Sequence, residues 1–435
     1  MSIFTSLFDL IISCLNLAVE SHTISHGNQE SSTSASSGVS QLPSSVILEI
    51  FLKLPINSII RCKCVCKSWN TLLSDPYFTS TYRLNTPFTS IVCSEHRTIT
   101  NPLDHESFYI VEIGRNGDIV RTPFIPEMPN SRSNGITGVM GSCNGLLCLV
   151  KSPQLESESH GHYVYNRDSI YNNQTVCVAN PLMGECISLP DVKRAEYISD
   201  VIYGFGSTAV NNQYKVIRLV IRYVFPSTVD QKIVVSGEIL TLGIDDRWRC
   251  FEDPSIPCYT FPCGIALNGF VHWIGDNRRY GVIYAFDVGE ERGHCIPLPP
   301  GLGAAPGNII LAVWDGRLCL TDNGSDSQLD VSQLDVCVWV MKRYGSAESW
   351  TRDVILRSRI PSDLRSFPLN PITTLRNGDL LMSPPNSQSL VSFDSKTKRC
   401  RKLGVSHVEG TVSFLNWYIP SFTSHSSVYN RNQWS

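Results

Sequence analysis

Cys62, Cys64 and Cys66, three thiols at alternate positions, are the first residues whose type and spacing could do chemistry. Thiolates ligate zinc, but such sites usually bring cysteines as C-x2–4-C pairs, with a second pair or histidines downstream. Here the spacing is C-x-C-x-C, flanked by Lys63 and Lys67, and no second ligand cluster follows nearby. The trio therefore reads as small apolar groups packed among short helices. His160-Gly-His162 could touch a metal, yet it lies in the polar run SPQLESESHGH and reads as a solvated loop. Asp245-Asp246 and the carboxylates between Asp322 and Asp326 read as turn residues. The paired acids of a glycosidase would have to converge from separate strands, which spacing does not show. His272-Trp273 follows a tight turn and reads as packed inside a β unit. There is no G-x-S-x-G elbow, no H-E-x-x-H and no phosphate-binding G-x-x-x-x-G-K-[ST]. No catalytic, cofactor-binding or metal-ligating residue is assigned.

The elements that carry these residues fall into two regimes. A chain of 435 residues exceeds what one compact core usually holds, so two units are expected. With 42% hydrophobic and 17% charged residues and a net charge of −3, it lacks the basic bias of a nucleic-acid or membrane-surface binder. The 16 cysteines are spread along the chain, several inside strand-like runs, and are expected to stay reduced in the cytoplasm and/or nucleus. Residues 3–19 are largely apolar, but Asp9 interrupts the run and no Lys or Arg precedes it, unlike a secretory leader. It also contains Ser and Asn, unlike a membrane span. Asn173-Gln-Thr and Asn323-Gly-Ser match the glycosylation pattern, which arises often by chance. Residues 1–40 read as a leader and Ser-rich flexible linker, and 423–435 as a disordered tail.

Residues 42–76 pack three helical patterns between a Leu-Pro start and an Asp-Pro stop. Pro43 suits a first helical turn. Ile47, Ile50, Phe51 and Leu54 then form one stripe at i, i+3, i+4 and i+7. Pro55 breaks that helix, and Asn57 or Ser58 could cap a second one carrying Ile59 and Ile60. A third, from about Val65 to Leu73, places Val65, Trp69, Leu72 and Leu73 on one side. Three helices this short cannot bury all these groups among themselves, so some apolar surface must face a partner. The stretch of about 45 residues, with its two Leu-Pro pairs and the run R-C-K-C-V-C-K-S-W-N, resembles the F-box of plant proteins. The resemblance implies docking to the Skp-type adaptor of a Skp–cullin–F-box ubiquitin ligase and, through it, to cullin and RING subunits. It places Leu42, Pro43, Ile47, Ile50, Phe51, Leu54, Pro55 and Ile59 at the adaptor, helped by Val65, Lys67 and Trp69. For Val65 and Trp69 the alternative is that they only hold the helices together. Lys53, Arg61, Lys63 and Lys67 outnumber Glu49 and Asp75, a small excess suited to an acidic partner.

From about residue 88, short runs of Val, Ile, Leu, Tyr and Phe alternate with Gly, Asn, Asp and Pro clusters, as in an all-β unit. A tight turn followed by an apolar strand recurs as SCNGLLCLV, ALNGFVHWI, VWDGRLCLT and TLRNGDLLM. IDDRWRCF and SAESWTRDV echo each other with Trp at matching places. Hairpin units of this length describe β-propeller blades. About six are expected, near 88–125, 139–190, 201–253, 263–300, 308–355 and 370–404. TVSFLNWYIPSF (411–422) is expected to close the ring on the first blade and remove open sheet edges. A β-sandwich is the competing architecture, though 330 residues is long for one. The strings GSCNGLLCL, ANPLMGECISLP, YGFGSTAVNNQYKVIRL and NGFVHW resemble the plant F-box-associated, kelch-like domain. The paired glycines of a strict kelch repeat are missing.

The expected chain is thus an α+β multidomain protein: an F-box of three helices (41–85), a short stiff linker around 80–89, and a large all-β propeller-like domain (88–422). Together the two resemblances imply a non-enzymatic substrate receptor that holds an unknown protein target. The alternative is a propeller-type enzyme or carbohydrate-binding protein whose F-box is structural.

Overall fold

In a computed structural model the chain divides into two units, 1–86 and 87–435. The structure describes residues 43–96, 107–124, 135–153, 167–192, 195–208, 213–224, 232–253, 255–257, 259–260, 264–276, 281–300, 302, 309–323, 335–384, 389–404, 411–422 and 424. Leu42, the His160–His162 pair, the leader, and the expected tail apart from Ser424 lie outside them.

The first unit has four described helices, not three: α1 (Ser44–Phe51), α2 (Ile56–Lys63), α3 (Lys67–Leu73) and α4 (Pro76–Asn85). The Asp75-Pro76 pair, expected as a stop, starts α4. Asp75 caps it by accepting the Tyr77 N–H at 2.7 Å, and Pro76 occupies the first turn, where its missing N–H costs nothing. The capping expected from Asn57 or Ser58 does not occur. Pro55 precedes α2 in extended geometry, and its carbonyl accepts from Ser58 and Ile59. α4 buries Phe78, Thr79 and Tyr82, and the Tyr82 hydroxyl donates to the Leu54 carbonyl at 2.9 Å. This fourth helix covers part of the apolar surface that three helices alone would leave open.

The second unit is a ring of six sheets. Blade two is β4 (Gly135–Cys143), β5 (Leu146–Pro153), β6 (Thr175–Asn180) and β7 (Glu185–Ser188). Blade three is β8 (Ile198–Ser207), β9 (Tyr214–Val224), β10 (Lys232–Thr241) and β11 (Arg249–Phe251). In blade four the inner strand is split into β12 (Tyr259–Thr260) and β13 (Ile265–Leu267), both paired with β14 (Phe270–Asp276), followed by β15 (Gly281–Asp287) and β16 (Arg292–Pro297). Blade five is β17 (Ile309–Trp314), β18 (Arg317–Asp322), β19 (Val336–Met341) and β20 (Trp350–Ile355). Blade six is β21 (Asn370–Thr374), β22 (Leu380–Ser383), β23 (Ser389–Asp394) and β24 (Arg399–Gly404). Blade one holds β1 (Phe88–His96), β2 (Ser107–Gly114) and β3 (Ile119–Phe124), and takes its inner strand from the far end of the chain, β25 (Thr411–Tyr418). The strands β25, β4, β8, β13, β17 and β21 neighbour one another in turn around the axis.

The recurrent turns join the first two strands of their blades. Asn144-Gly145, Asn268-Gly269 and Asp315-Gly316 all have positive φ at both residues, the geometry that matches the twist of a two-residue hairpin. The fourth turn differs: β21 and β22 are joined by Leu375–Asp379, with only Gly378 left-handed. The two Trp echoes are inter-blade ties. The Trp248 indole donates to the Pro190 carbonyl of blade two at 2.9 Å, and Trp350 donates to that of Pro297 in blade four at 3.2 Å. Apolar cores fill the gaps between neighbouring blades, as where Ile91, Val111, Leu381 and Leu403 meet between blades one and six.

Past β25 the chain lies over blade two. Asn180 donates to the Ser421 carbonyl, Ser424 reaches Glu185, and Phe422 is buried. A methyl added at Gly145 would run into Ser421, whose backbone nitrogen lies 2.9 Å from that position, whereas one at Gly316 meets open space. Both glycines are left-handed, so Gly316→Ala should cost about 1 kcal/mol from backbone strain alone, and Gly145→Ala about 3 kcal/mol once the clash is added. Calorimetric melting of the full chain checks the difference; equal losses at the two sites would overturn the closure role given to residues 419–422.

Candidate functional site

The first candidate surface is α1 with its flanks. Its predicted stripe divides. Phe51 and Leu54 turn inward, where the Phe51 and Trp69 rings meet edge-on at 4.9 Å, and Ile59 is fully buried beside Ile56 and Cys62. Ile47 and Ile50 stay half-exposed, Pro43 is exposed, and Val46 is 41% exposed. Pro43, Val46, Ile47 and Ile50 thus form an apolar strip at i, i+3, i+4 and i+7 on the outer side of α1. Val46 was missed by sequence reasoning although its spacing from Pro43 was visible. Pro55 and Val65 are half-buried, and Lys67, Lys53 and Arg61 are exposed. Of the residues expected at the adaptor, Phe51, Leu54, Ile59 and Trp69 are therefore placed in the helical core. Pro43, Ile47, Ile50, Pro55, Val65 and Lys67 are placed at the surface.

The cysteine trio is spread over a helix junction. Cys62 ends inside α2 and is buried, which pushes its thiol up to about 11. Cys64 donates its S–H to the Ile60 carbonyl, and Cys66 precedes α3 in extended geometry. No group of three His, Cys, Asp or Glu among the described residues could hold a metal ion.

The second candidate surface is one end of the ring. At the end where β1 begins, the turns are tight, from Asn144-Gly145 to the 342–349 segment. At the other end lies the longer connection 356–369. Connection 356–369 is described throughout and is braced from within. Arg357 is buried and donates to the carbonyls of Arg365 and Phe367; Arg365 donates to those of Ile360 and Ser358. Leu356 and Phe367 are left 42% and 44% exposed on this braced loop. In connection 154–174, α5 (Arg167–Asn172) is tied to the start of blade three. Tyr171 donates to Asp200, and Asn172 makes a reciprocal pair with the backbone of Ala195. Beneath it, the buried Arg218 donates to Glu238 at 2.5 Å and to the Tyr203 hydroxyl.

Asp245 and His272, among the remaining acid and histidine candidates, serve the structure. Asp245 accepts from Arg249, which with Lys215 binds Glu291 across blades three and four; the Arg249 hydrogen bond leads in holding Glu291 down at about 2. Asn323, one of the glycosylation matches, is buried with both ends of its amide on Leu369, leaving no room for a glycan. His272 is fully buried. Because the Ile265 carbonyl at 3.1 Å only accepts, Nδ1 carries the proton and Nε2 accepts from the Tyr344 hydroxyl at 2.7 Å. Burial, with a smaller push from His294, lowers its pKa to about 4 against the Ile265 hydrogen bond. The unfolded chain therefore binds this proton first. His272 costs nothing above about pH 6.5, and its penalty grows as pH falls toward 4, on the order of 3 kcal/mol when complete. Melting temperature measured across that window should fall less steeply for His272→Gln than for the natural chain; parallel slopes would rule out this residue as the titrating group.

A model of the F-box domain matches residues 39–81, and a model of the F-box associated beta propeller domain matches residues 122–429. Among curated proteins of Arabidopsis thaliana, F-box protein At3g07870 is 25% identical over 84% of this chain and 88% of its own length. F-box protein CPR1 is 24% identical over 86% of each. Among solved structures, a protein of unknown function from Dyadobacter fermentans overlaps 63% of this chain and 83% of its own at 9% identity and a TM-score of 0.38, a likeness too low to bear on function. The helices of 44–85 are an F-box, the six sheets are its associated propeller, and the chain belongs to the family of F-box proteins with an F-box associated beta propeller domain.

Proposed function

We propose that this chain is the substrate-recognition subunit of a Skp–cullin–F-box ubiquitin ligase, acting in the cytoplasm and/or nucleus. One observation carries the reading: an F-box and an F-box associated propeller occur in the same chain. The F-box docks to a Skp-type adaptor and, through it, to cullin and RING subunits. The propeller holds a protein target with the side chains on its long connections. The chain itself does no chemistry. It raises the effective concentration of target lysines near the ubiquitin-charged enzyme, and positioning of that kind accelerates transfer without a catalytic group.

At the adaptor, the strip of Pro43, Val46, Ile47 and Ile50 supplies apolar area that desolvates on binding, extended by Leu42, Pro55 and Val65. Phe51, Leu54, Ile59 and Trp69 act from behind by fixing the angle of α1 against α2 and α3. Lys67, Lys53 and Arg61 steer an acidic partner and raise the on-rate more than the final affinity.

Co-purification of the full-length chain with a Skp-type adaptor tests the docking step. Ile47→Glu with Ile50→Glu should weaken capture by about tenfold or more, because two charges would be buried against the partner. The helical signal should stay intact, since both residues are already half-exposed. Full retention of the adaptor by that double variant would sink the proposed surface. Phe51→Ala should also lose adaptor, but together with cooperative melting of the helices, as a core deletion worth about 3 kcal/mol or more.

A further inference from the structure

The outer edge of blade six differs from the other outer strands. β3 and β16 carry Pro123 and Pro297, β7 and β11 are short, and β20 mixes Arg352 with Asp353. These devices blunt an exposed edge against pairing. β24 relies on charge alone: its six residues, Arg-Cys-Arg-Lys-Leu-Gly, hold no proline and no acid. Together with the turn before it, five of the seven residues from Lys396 to Lys402 are cationic.

These five divide by role. Lys398 pairs with Asp353 of blade five, and Lys402 pairs with Asp363 on the braced connection 356–369. These contacts hold the strand in place, helped by Arg359, which donates to the carbonyls of Thr397 and Lys398. Lys396, Arg399 and Arg401 are exposed, and none has a carboxylate within ion-pair distance among the described residues. Lys396 interacts electrostatically with its turn neighbour Asp394. Arg401 lies against Gly117 of blade one, a turn that also carries exposed Arg115 and Asp118. Residues 335–404 hold twelve Lys and Arg against six Asp and Glu, in a chain whose net charge is −3. Guarding an edge needs one or two charges; this concentration makes a local positive field on an otherwise acidic molecule.

We propose that β24 is a docking edge for an extended acidic segment of the target protein, which adds to blade six as a further strand. The open side of β24 supplies main-chain hydrogen bonds, the mode of recognition in which backbone gives affinity and side chains give selectivity. Arg399, Arg401 and Lys396 pair with carboxylates along the added strand. The adjacent connection 356–369 offers Leu356 or Phe367 to an apolar side chain, and its internal bracing by Arg357 and Arg365 means little ordering is left to be done on binding. The proposal rests on the reading of the propeller as the target-binding unit.

The test is fluorescence anisotropy with the full-length chain and a fluorescein-labelled peptide in which Glu and Ser alternate around a central Leu. Saturable binding is expected at low salt, weakening as salt rises, with new hydrogen-exchange protection along residues 399–404. Replacing Lys396, Arg399 and Arg401 by Glu should weaken it about tenfold or more with the melting temperature unchanged. No binding at low salt, or equal binding by the triple variant, overturns the proposal. So does full competition by a single-stranded oligonucleotide of equal charge, which would mark a general polyanion surface. Concentration-dependent self-association that disappears in the variant would assign the edge to a second copy instead, and also overturns it. Adaptor co-purification is read in parallel. Its failure in the natural chain would count against the ligase reading, whereas its retention by the triple variant isolates any peptide defect to β24.

Discussion

Pairing of β25 with β1 is the interaction on which the propeller depends. It joins residues 411–418 to residues 90–96, more than three hundred positions away, and supplies the inner strand that blade one lacks. Bringing such distant segments together costs entropy that grows only logarithmically with loop length, on the order of 5 kcal/mol here. Against that cost stand the ladder itself, burial of Tyr418 and Phe422, and the hydrogen bond from Asn180 to the Ser421 carbonyl. The gain is larger than these contacts, because the apolar cores lie between blades. Remove one inner strand and the gaps on both sides of blade one lose cover, as in other repeat folds whose units bury surface only against neighbours.

The F-box unit is held by contacts of the opposite kind, close in sequence and built around few side chains. Helices of seven to ten residues are not stable alone and rely on packing. Phe51 against Trp69, and Tyr82 bonded to the Leu54 carbonyl, fix the four helices with little apolar area to spare. That economy explains why Ile47 and Ile50 remain at the margin: the interior is already filled by Phe51, Ile56, Ile59 and Leu73.

Much of the fold was legible. Asn-Gly and Asp-Gly pairs report a left-handed requirement that few residues meet, so all four recurrent turns were found where the hairpins lie, three of them with both residues left-handed. The Trp echoes were visible as repeats, but their cause, an indole N–H reaching the carbonyl of the preceding blade, depends on a neighbour about fifty residues away. α4 was missed because Asp-Pro has two local meanings: it ends one helix and begins another with the same residues. The stripe of Ile47, Ile50, Phe51 and Leu54 was read as one face, although a helix rotated slightly against its neighbours buries only part of it. The basic edge of blade six was invisible in the net charge, where its five cations from Lys396 to Lys402 are offset by acids elsewhere.

By itself the sequence determined which segments become strands, where the tight turns fall, and that a helical F-box module precedes a ring of hairpins. Those properties are local: turn chemistry, alternation and helical spacing act within a few residues. Tertiary structure alone decided which half of an apolar stripe is buried, which outer strand presents unopposed charge, and which long connection is braced by its own arginines. Burial and charge pairing are set by whichever residues arrive from other parts of the chain, and closure of the ring by β25 is what brings them there.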